Sequence, residues 1–229
     1  MNEDTFKQAA AQHAVAYVEP GMRLGLGTGS TAVFMIHALA ERLRDGRLRD
    51  IVGVPTSSTS ENLARQLGIP LATLEQQPVL DLALDGADEI DPHLNLIKGL
   101  GGALLREKIV ATSARRFVVI ASASKQVPHL GMHTPLPVEV VAFGLPLCIR
   151  RLRELGSEPV LRVDSANQPF RTDEGHVIVD CQFGRIENPG ELATAIKAIP
   201  GVVEHGLFLG MATMAIVANE AGVQELEAQ

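Results

Sequence analysis

Short apolar runs alternate with segments of helical periodicity through the first half of the chain. Four of these runs have the length and β-branched content of buried strands, and they lie at residues 22–26, 51–54, 79–84 and 117–121. Helical spacing predicts helices up to about Tyr17 and at residues 30–43, 60–67 and 102–114. This alternation is typical of a Rossmann-like α/β domain, whose mostly parallel sheet is covered by helices on both faces.

The helical period is clear in the segment 30–43. Four apolar residues of this segment fall on one face, which is predicted to be buried: Val33, Ile36, Ala40 and Leu43. A glycine-rich turn separates this helix from the strand at 22–26. The chain is therefore predicted to begin its sheet with a strand, glycine turn, helix unit.

The pattern changes at residues 129–137, where two prolines and a glycine interrupt regular structure and predict a domain boundary. Strands are predicted beyond it at 138–143, 160–163, 177–182 and from Val202, with helices at 145–155 and 189–198. The order β-α-β-β-α-β is that of ferredoxin-like α+β domains. The apolar stretch 207–219 is predicted to return to the first domain.

Two domains are therefore expected. Residues 1–130 and 207–229 form the Rossmann-like catalytic domain in this prediction, and residues 131–206 form the smaller ferredoxin-like domain. The apolar second domain offers surface for an oligomer interface.

Composition excludes several classes of protein. The 229 residues carry a net charge of -7 and only 3% aromatic residues, which argues against a nucleic-acid partner. Cys148 and Cys181 lie far apart without metal-ligand spacing, so neither a disulfide framework nor a zinc site is expected. The N-terminus lacks the pattern of a secretory signal and no apolar run is long enough for a membrane span, so a cytoplasmic protein without membrane contact is expected.

Polar motifs follow each predicted strand of the first domain. They read LGLGTGSTA at 24–32, PTSSTS at 55–60, DGADE at 85–89 and SASK at 122–125. Ligands of open parallel sheets bind beyond the carboxyl ends of strands, because loop amides and helix N-termini converge there. A ligand site is therefore predicted at this edge of the sheet.

The first motif has two interpretations from its residues alone. Its glycines permit a tight turn with exposed amides, and Thr28, Ser30 and Thr31 add hydroxyl groups at a helix start, which suits a phosphate. The same residues are also typical of an ordinary turn followed by a helix N-cap. A dinucleotide fingerprint fits less well, because Ser30 stands where the third glycine belongs and the strand ending at Pro55 carries no acidic residue.

Two further motifs bring acids and a lysine to glycine-rich backbone. Asp85 and Asp88 follow an apolar run and are separated only by Gly86 and Ala87, which favours a ligand site over a surface turn capped by Asp88 or Asp91. Lys98 opens the glycine loop KGLGG. These charges suit proton transfer on a small anionic substrate better than binding of a large partner.

Glu107 is not distinguished by its local sequence. Helical spacing groups it with Ala103, Val110 and Ala111, away from Leu105 and Ile109. Local pattern favours a solvent-facing glutamate in an ordinary LREK run.

Six blocks together resemble the type A ribose-5-phosphate isomerases. They read GLGTGSTA, DGADEID, KGLGGALLREK, ASASKQV, PLPVEV and VVEHGLFLGMA, in the same order and at compatible spacing from about Asp4 to Ala218. The resemblance implies interconversion of D-ribose 5-phosphate and D-ribulose 5-phosphate in the non-oxidative pentose phosphate pathway, without metal or organic cofactor. It also implies a homodimer or a homotetramer.

The resemblance assigns roles to individual residues. Glu107 becomes the base that moves a proton between C2 and C1 through a cis-enediol(ate). Asp85 and Lys98 serve the O1 and O2 protons and the charge that develops there, and Asp88 orients substrate hydroxyls and assists ring opening. Lys7 is a further candidate for the phosphate.

The implied substrate-binding residues lie in the same blocks and in the SASK turn. They are Thr28, Gly29, Ser30, Thr31, Asp85, Gly86, Ala87, Asp88, Lys98, Gly99, Leu100, Gly101 and Lys125. Leu100 departs from the family, because many members have glycine there, and it raises the question of how flexible the loop is.

Two other functions compete with isomerisation. A sugar-phosphate sensor would use a related fold without catalysis, but no DNA-binding segment precedes Met22 and a sensor needs no such set of carboxylates. A coenzyme A transferase would use a glutamate nucleophile, but the residues around Glu107 match the isomerases better. The histidines, among them His37, His133 and His205, lie outside the clustered polar motifs and are predicted to have packing or surface roles.

Overall fold

A computed structural model describes residues 2–227. The α-helices within these residues are α1 Glu3–Ala14, α2 Ser30–Arg44, α3 Ser58–Gln66, α4 Leu104–Ser113, α5 Leu145–Glu154 and α6 Pro189–Lys197. The strands are β1 Arg23–Leu26, β2 Val52–Pro55, β3 Leu82–Asp85, β4 Glu89–Ile90, β5 Leu96–Ile97, β6 Phe117–Ser122, β7 Leu136–Val140, β8 Glu158–Leu161, β9 Val177–Gln182, β10 Val202–His205, β11 Leu207–Phe208, β12 Met214–Asn219 and β13 Gly222–Glu227. Short 3-10 turns lie at Val15–Tyr17, Ala123–Lys125 and Ala142–Gly144.

Backbone contacts divide the chain into two compact units. The first contains the residues up to Ala87, Arg106–Lys125 and the residues from Gly210 onward. The second contains Asp88–Leu105 and Gln126–Leu209. This division differs from the sequence-based one chiefly in residues 88–105, which carry the glycine loop and belong to the second unit.

The first unit has the predicted Rossmann-like α/β architecture. Its sheet has the strand order β13-β12-β6-β3-β1-β2, and all neighbouring pairs are parallel except β12 and β13. Every residue of β3 and β6 is buried, as expected for parallel strands covered on both faces. The strand β13 was not predicted, since its polar residues GVQELE give little apolar signal.

The buried face of α2 differs in part from the prediction. Ile36 and Ala40 are buried as expected, but Val33 is 37% exposed and Leu43 is only partly buried. The core is filled instead by Ala32, Met35 and Leu39. The helix is rotated slightly from the predicted face, because packing of α1 and the sheet decides which residues are buried.

The second unit has the ferredoxin-like order that the sequence predicts. Its antiparallel sheet is ordered β10-β7-β9-β8, with α5 and α6 as the connecting helices. A second, three-stranded sheet of β11, β5 and β4 was not predicted, because each strand has only two residues. The stretch 207–219 is shared: β11 pairs in this sheet, and β12 joins the sheet of the first unit.

No helix among residues 2–227 combines the length and apolar character needed to cross a membrane.

Candidate active site

The polar motifs of the first unit follow the carboxyl ends of β1, β2, β3 and β6, as the sequence predicts. Asp85 closes β3 and is only 3% exposed. Its Oδ1 accepts hydrogen bonds from the backbone N–H groups of Thr28, at 3.0 Å, and Gly86, at 2.7 Å. These two amides orient the Asp85 carboxylate at the edge of the sheet.

Gly27, directly after β1, allows the ends of β1 and β3 to lie close together. Its N–H donates to the Leu84 carbonyl at 2.9 Å, and a side chain at this position would overlap the Asp85 carboxylate and the Asp85 backbone. Glycine is therefore required here for close approach rather than for an unusual backbone angle.

Thr28 takes part in a cluster of hydroxyl groups that joins two of the polar loops. Its Oγ1 lies 2.7 Å from Thr56 Oγ1 and donates to Ser57 Oγ at 2.7 Å. Ser57 also caps α3 through a capping box with Ser60. The PTSSTS motif thus fixes the loop after β1, a role for Thr56 and Ser57 that only their position at a strand end could have indicated.

The N-terminus of α2 presents polar groups to solvent. Gly29 is its N-cap with φ of 105°, and no side-chain hydrogen bond caps this end. Gly29 and Ser30 are exposed and Thr31 is half-buried. First-turn N–H groups of a helix and the partial positive charge of its N-terminus attract anions, so this end can bind a phosphate group.

Glu107 lies in the first turn of α4 and is only 4% exposed, so the local prediction of a solvent-facing glutamate was wrong. Val110 and Ala111 are buried with it, whereas Ile109 is 44% exposed. Ile109 therefore faces outward, whereas Leu104, Val110 and Ala111 are the apolar residues that α4 buries with Glu107.

The reason is the close packing of α4 on the sheet. A side chain on Gly25 would lie 2.5 Å from Val110 Cγ1 and 2.9 Å from Ala83 Cβ. Glycine in β1 and small residues in β3 and α4 let this helix approach the sheet closely, which brings Glu107 into the interior of the unit.

Glu107 and Asp85 border the same small cleft. The cleft is narrow, with no space for a water molecule between its lining groups, which also include Gly27 and Thr56. A larger pocket of about 410 Å³ in the same unit is lined by none of the candidate residues. The smaller cleft brings two buried carboxylates together beside glycine backbone.

Lys125 and Lys7 both act on Glu3, at the amino end of the first unit. Glu3 accepts hydrogen bonds from the Ser122 and Ser124 hydroxyls, each at 2.9 Å. These hydrogen bonds, aided by the charges of Lys7 and Lys125, hold the pKa of Glu3 below its usual value. Lys7 also pairs with Asp4 at 3.3 Å. The candidate lysines Lys125 and Lys7 therefore both lie close enough to Glu3, near the end of β6, to lower its pKa.

The glycine loop belongs to the second unit with Asp88. The Asp88 N–H donates to the Ile97 carbonyl at 2.8 Å, and Asp88 Oδ2 accepts from the Leu100 N–H at 2.9 Å. Lys98 is 2% exposed, and its Nζ lies 5.6 Å from the centroid of the Phe208 ring. The loop thus holds a buried lysine and an oriented carboxylate within one hydrogen-bonded segment.

The loop conformation explains its glycines and accommodates Leu100. Gly99 and Gly102 have φ of 104° and 83°, in the region that favours glycine. Leu100 does not adopt a positive φ, and it is 39% exposed. A leucine therefore fits this position without backbone strain. Gly101 is exposed beside it.

Two acids of the DGADEID motif have structural contacts within the second unit. Glu89 is 1% exposed and accepts backbone hydrogen bonds from Gly131, His133 and Thr134 at 2.5–2.8 Å. Asp91 accepts from the N–H groups of His93 and Asn95, each at 2.8 Å. Glu89 therefore fixes the loop before β7, and Asp91 caps the turn between β4 and β5.

The histidines and cysteines named above are not among the residues that line the cleft. His37 and His133 are exposed and His205 is buried, consistent with surface and packing roles. Both cysteines are buried and free, and burial raises the pKa of Cys148 and raises that of Cys181 to about 12. Residues 2–227 contain no group of three metal-ligating side chains arranged to hold an ion.

Comparison with known proteins gives consistent results over the whole chain. The family model described as ribose 5-phosphate isomerase A (phosphoriboisomerase A) matches residues 52–222. The ribose-5-phosphate isomerase A of Roseiflexus castenholzii is 65% identical over 227 residues, covering 99% of this chain and 97% of that protein.

Solved structures agree with the sequence matches. A D-ribose-5-phosphate isomerase in complex with phospho-erythronic acid has a TM-score of 0.97 and 41% identity, covering 99% of this chain and 100% of that chain. The ribose 5-phosphate isomerase of Plasmodium falciparum has a TM-score of 0.95 and 40% identity, covering 98% of each chain.

Proposed function

The chain belongs to the ribose 5-phosphate isomerase A family, and from that premise we propose how its residues interconvert D-ribose 5-phosphate and D-ribulose 5-phosphate. This activity is an aldose-ketose isomerisation of the pentose phosphate pathway, on a small-molecule sugar phosphate. Family membership favours it over the sensor and the acyl-transfer alternatives. The observation that carries the proposed mechanism is the burial of Glu107 beside Asp85 in one cleft.

Glu107 is the carbon base in this proposal. Its carboxylate removes the proton from C2 of the open-chain aldose, and the C2–H electron pair forms the C1–C2 double bond of a cis-enediol(ate). The same carboxyl group then returns the proton to C1, which yields the ketose and regenerates the carboxylate. One group can serve both carbons because both protons lie on one face of the planar intermediate.

Asp85, Lys98 and Asp88 act on the oxygens. As C2 loses its proton, O1 gains negative charge and takes up a proton, and as C1 is protonated, the O2 hydroxyl gives up its proton to leave the new carbonyl. The ammonium group of Lys98 stabilises the charge on oxygen, and Lys98 and Asp85 exchange the O1 and O2 protons. Asp88 orients substrate hydroxyls and assists ring opening.

The phosphate is assigned to the N-terminus of α2 and to lysines. Ser30 and Thr31 offer hydroxyl and backbone N–H groups there, next to the positive φ of Gly29. Lys125 and Lys7, which share the neighbourhood of Glu3, add positive charge. Gly86, Ala87, Gly99 and Gly101 contribute backbone to the substrate site in this proposal.

We also propose a cytoplasmic homodimer or homotetramer in which the ferredoxin-like unit contributes the interface. Exposed apolar side chains of that unit support this: Phe143 is 97% exposed, Val160 63% and Val163 48%. Light scattering of the purified protein measures the assembly directly, and a mass of one 24.5 kDa chain would contradict it.

The variant Glu107→Gln tests the base. It keeps the size of the side chain and removes the basic oxygen, so the variant is expected to fold and to lose roughly 10²–10⁴-fold in kcat. Phospho-erythronic acid, the ligand of the similar solved isomerase, serves as the binding probe. Calorimetry is expected to show that Glu107→Gln still binds this acid, which separates lost chemistry from a lost site.

Glu191→Gln is the matched control, because Glu191 is also in the first turn of a helix but is exposed. It is expected to isomerise at the unaltered rate. Full activity of Glu107→Gln in a coupled assay of ribulose 5-phosphate would overturn the assignment of the base.

A further inference from the structure

Arg162 follows β8 in the second unit and reaches the glycine loop across 63 residues of sequence. Its Nη1 donates to the carbonyl of Gly99 at 2.9 Å and to that of Leu100 at 3.0 Å. The side chain is only 13% exposed. A partly buried guanidinium group therefore holds two successive carbonyls of the KGLGG loop.

Asp180 orients this guanidinium group. Arg162 Nε donates to Asp180 Oδ2 at 2.9 Å, and Nη2 donates to Oδ1 at 2.5 Å, so the pair is bidentate. Asp180 lies on β9, and Arg162 is tied to the same strand by its own N–H, which donates to the Ile178 carbonyl at 2.9 Å. The planar fork of arginine suits both sets of contacts at once, and a lysine ammonium cannot reproduce it.

Two other groups also contact the loop. The Leu100 N–H donates to Asp88, and the Phe170 ring packs so closely on Gly102 that a side chain there would overlap it. The guanidinium carbon of Arg162 lies 5.9 Å from the centroid of the same ring. No regular strand or helix includes Gly99 or Leu100. The Gly99 carbonyl also accepts from the Gly102 N–H at 3.0 Å, so Arg162 and Asp88 position this segment together with one backbone hydrogen bond.

We propose that Arg162, oriented by Asp180, is a positioning residue for the isomerisation: it fixes the Gly99 and Leu100 carbonyls and thereby sets the positions of Lys98 and Asp88. The inference rests on the proposed function, in which Lys98 and Asp88 act on substrate oxygens. Lys98 directly precedes Gly99, and Asp88 is bound to Leu100, so a shift of these two peptide groups moves both functional side chains. The ferredoxin-like unit thus contributes to catalysis through its own sheet.

The first test replaces Arg162 with methionine. A displacement of catalytic groups by about 1 Å can lower the rate roughly 10²-fold, so Arg162→Met is expected to lose about one to two orders of magnitude in kcat. Arg162→Lys is expected to recover little of that loss. Arg171→Met is the matched control, because Arg171 is an exposed arginine that donates to the Gly175 carbonyl, in the same segment between β8 and β9. It is expected to keep its kcat.

The double variant Arg162→Met with Asp180→Asn separates positioning from folding. Arg162→Met alone leaves the Asp180 carboxylate without its bidentate partner, whereas the double variant removes both charges. Its melting temperature is expected to recover toward that of the unaltered protein, while kcat stays low. Recovery of kcat together with melting temperature would show a merely structural role and overturn the proposal.

Guanidinium at low millimolar concentration provides a rescue experiment with Arg162→Ala. Added guanidinium is expected to raise kcat several-fold in this variant and to leave Arg171→Ala unaffected. If Arg162→Met keeps full kcat while Glu107→Gln loses it, the positioning role fails alone. If Glu107→Gln keeps full activity, the proposed function fails as well, so the two failures are distinguishable.

Discussion

Glu89 and Glu107 are both buried glutamates in recognised motifs, yet their carboxylates have different surroundings in the two regions. Glu89, in the second unit, is 1% exposed and accepts three backbone hydrogen bonds from one loop. Glu107, in the first unit, is 4% exposed and borders a cleft together with Asp85. Burial is nearly equal, but of the two only Glu107 lines this cleft.

The difference teaches that burial of an acid does not by itself indicate catalysis. A carboxylate with backbone donors on both oxygens stabilises the loop that supplies those donors. A carboxylate beside a cleft is available for chemistry, and its position depends on how closely the helix that carries it packs on the sheet. Substitutions in the two regions should therefore separate stability from activity.

Among the substitutions that keep every charged group of the two regions, the largest effect is expected from Gly27→Ala, which disturbs the cleft. The new methyl group would overlap the Asp85 carboxylate and push it out of position. A displacement of this size is expected to lower kcat/KM roughly 10²-fold, beyond any loss from partial unfolding. Steady-state kinetics on the folded protein measure it.

Gly190→Ala is the control for that change, because nothing lies within 4 Å of a side chain added there and its φ is not positive. It is expected to leave kcat/KM unaltered. Equal kinetics for the two alanine variants would mean that the close approach at Gly27 does not position Asp85.

Glu89→Gln is expected to act on stability instead. The amide keeps one acceptor oxygen and turns its NH₂ group toward a backbone N–H, so a buried donor is left unsatisfied. The free energy of unfolding should fall by roughly 1–3 kcal/mol, while kcat of the folded protein stays close to that of the unaltered chain. Urea unfolding followed by circular dichroism measures the change.

The exposed Glu75 supplies a control, since Glu75→Gln is expected to leave the urea midpoint in place. A loss of kcat in folded Glu89→Gln without any loss of stability would reverse the comparison between the two glutamates.

Cys181 gives a third case to compare with the two buried glutamates. It is a buried titratable group, but its thiol stays protonated and uncharged. Desolvation raises its pKa to about 12 in the folded state, against about 8.5 for an unperturbed thiol. The folded state therefore favours the protonated form, and this contribution to stability is complete below about pH 8.5 and is lost as pH rises toward 12. The thiol is protonated in both states at neutral pH, so stability changes only above about pH 8.5, and we rank this effect as the smallest of the three.

Thiolate-specific labelling at pH 9 checks this in a Cys148→Ala variant, where Cys181 alone reports. Native protein is expected to resist labelling, and urea is expected to expose the thiol. Rapid labelling of the native variant would show that Cys181 is neither buried nor protonated as described.

The sequence predicted the six core elements of the first unit up to β3 closely, because each has an apolar run or helical period of its own. It also predicted the ferredoxin-like order of the second unit. The two-residue strands β4, β5 and β11 escaped prediction, since so short a strand has no periodicity. The prediction of which face of α4 is exposed was wrong, because the close packing of this helix depends on Gly25. That residue lies in β1, distant in sequence but next to α4 in the fold.

By itself the sequence determined which residue types stand at which strand ends, and the ordered motifs gave the family and the candidate residues. Only the tertiary structure decided that Glu89 supports a loop, that Glu107 is buried beside Asp85, and that Arg162 holds the glycine loop. The physical reason is the range of the interactions. Strand and helix periods and turn chemistry act over a few neighbouring residues, whereas these arrangements bring together residues 22 to 63 positions apart.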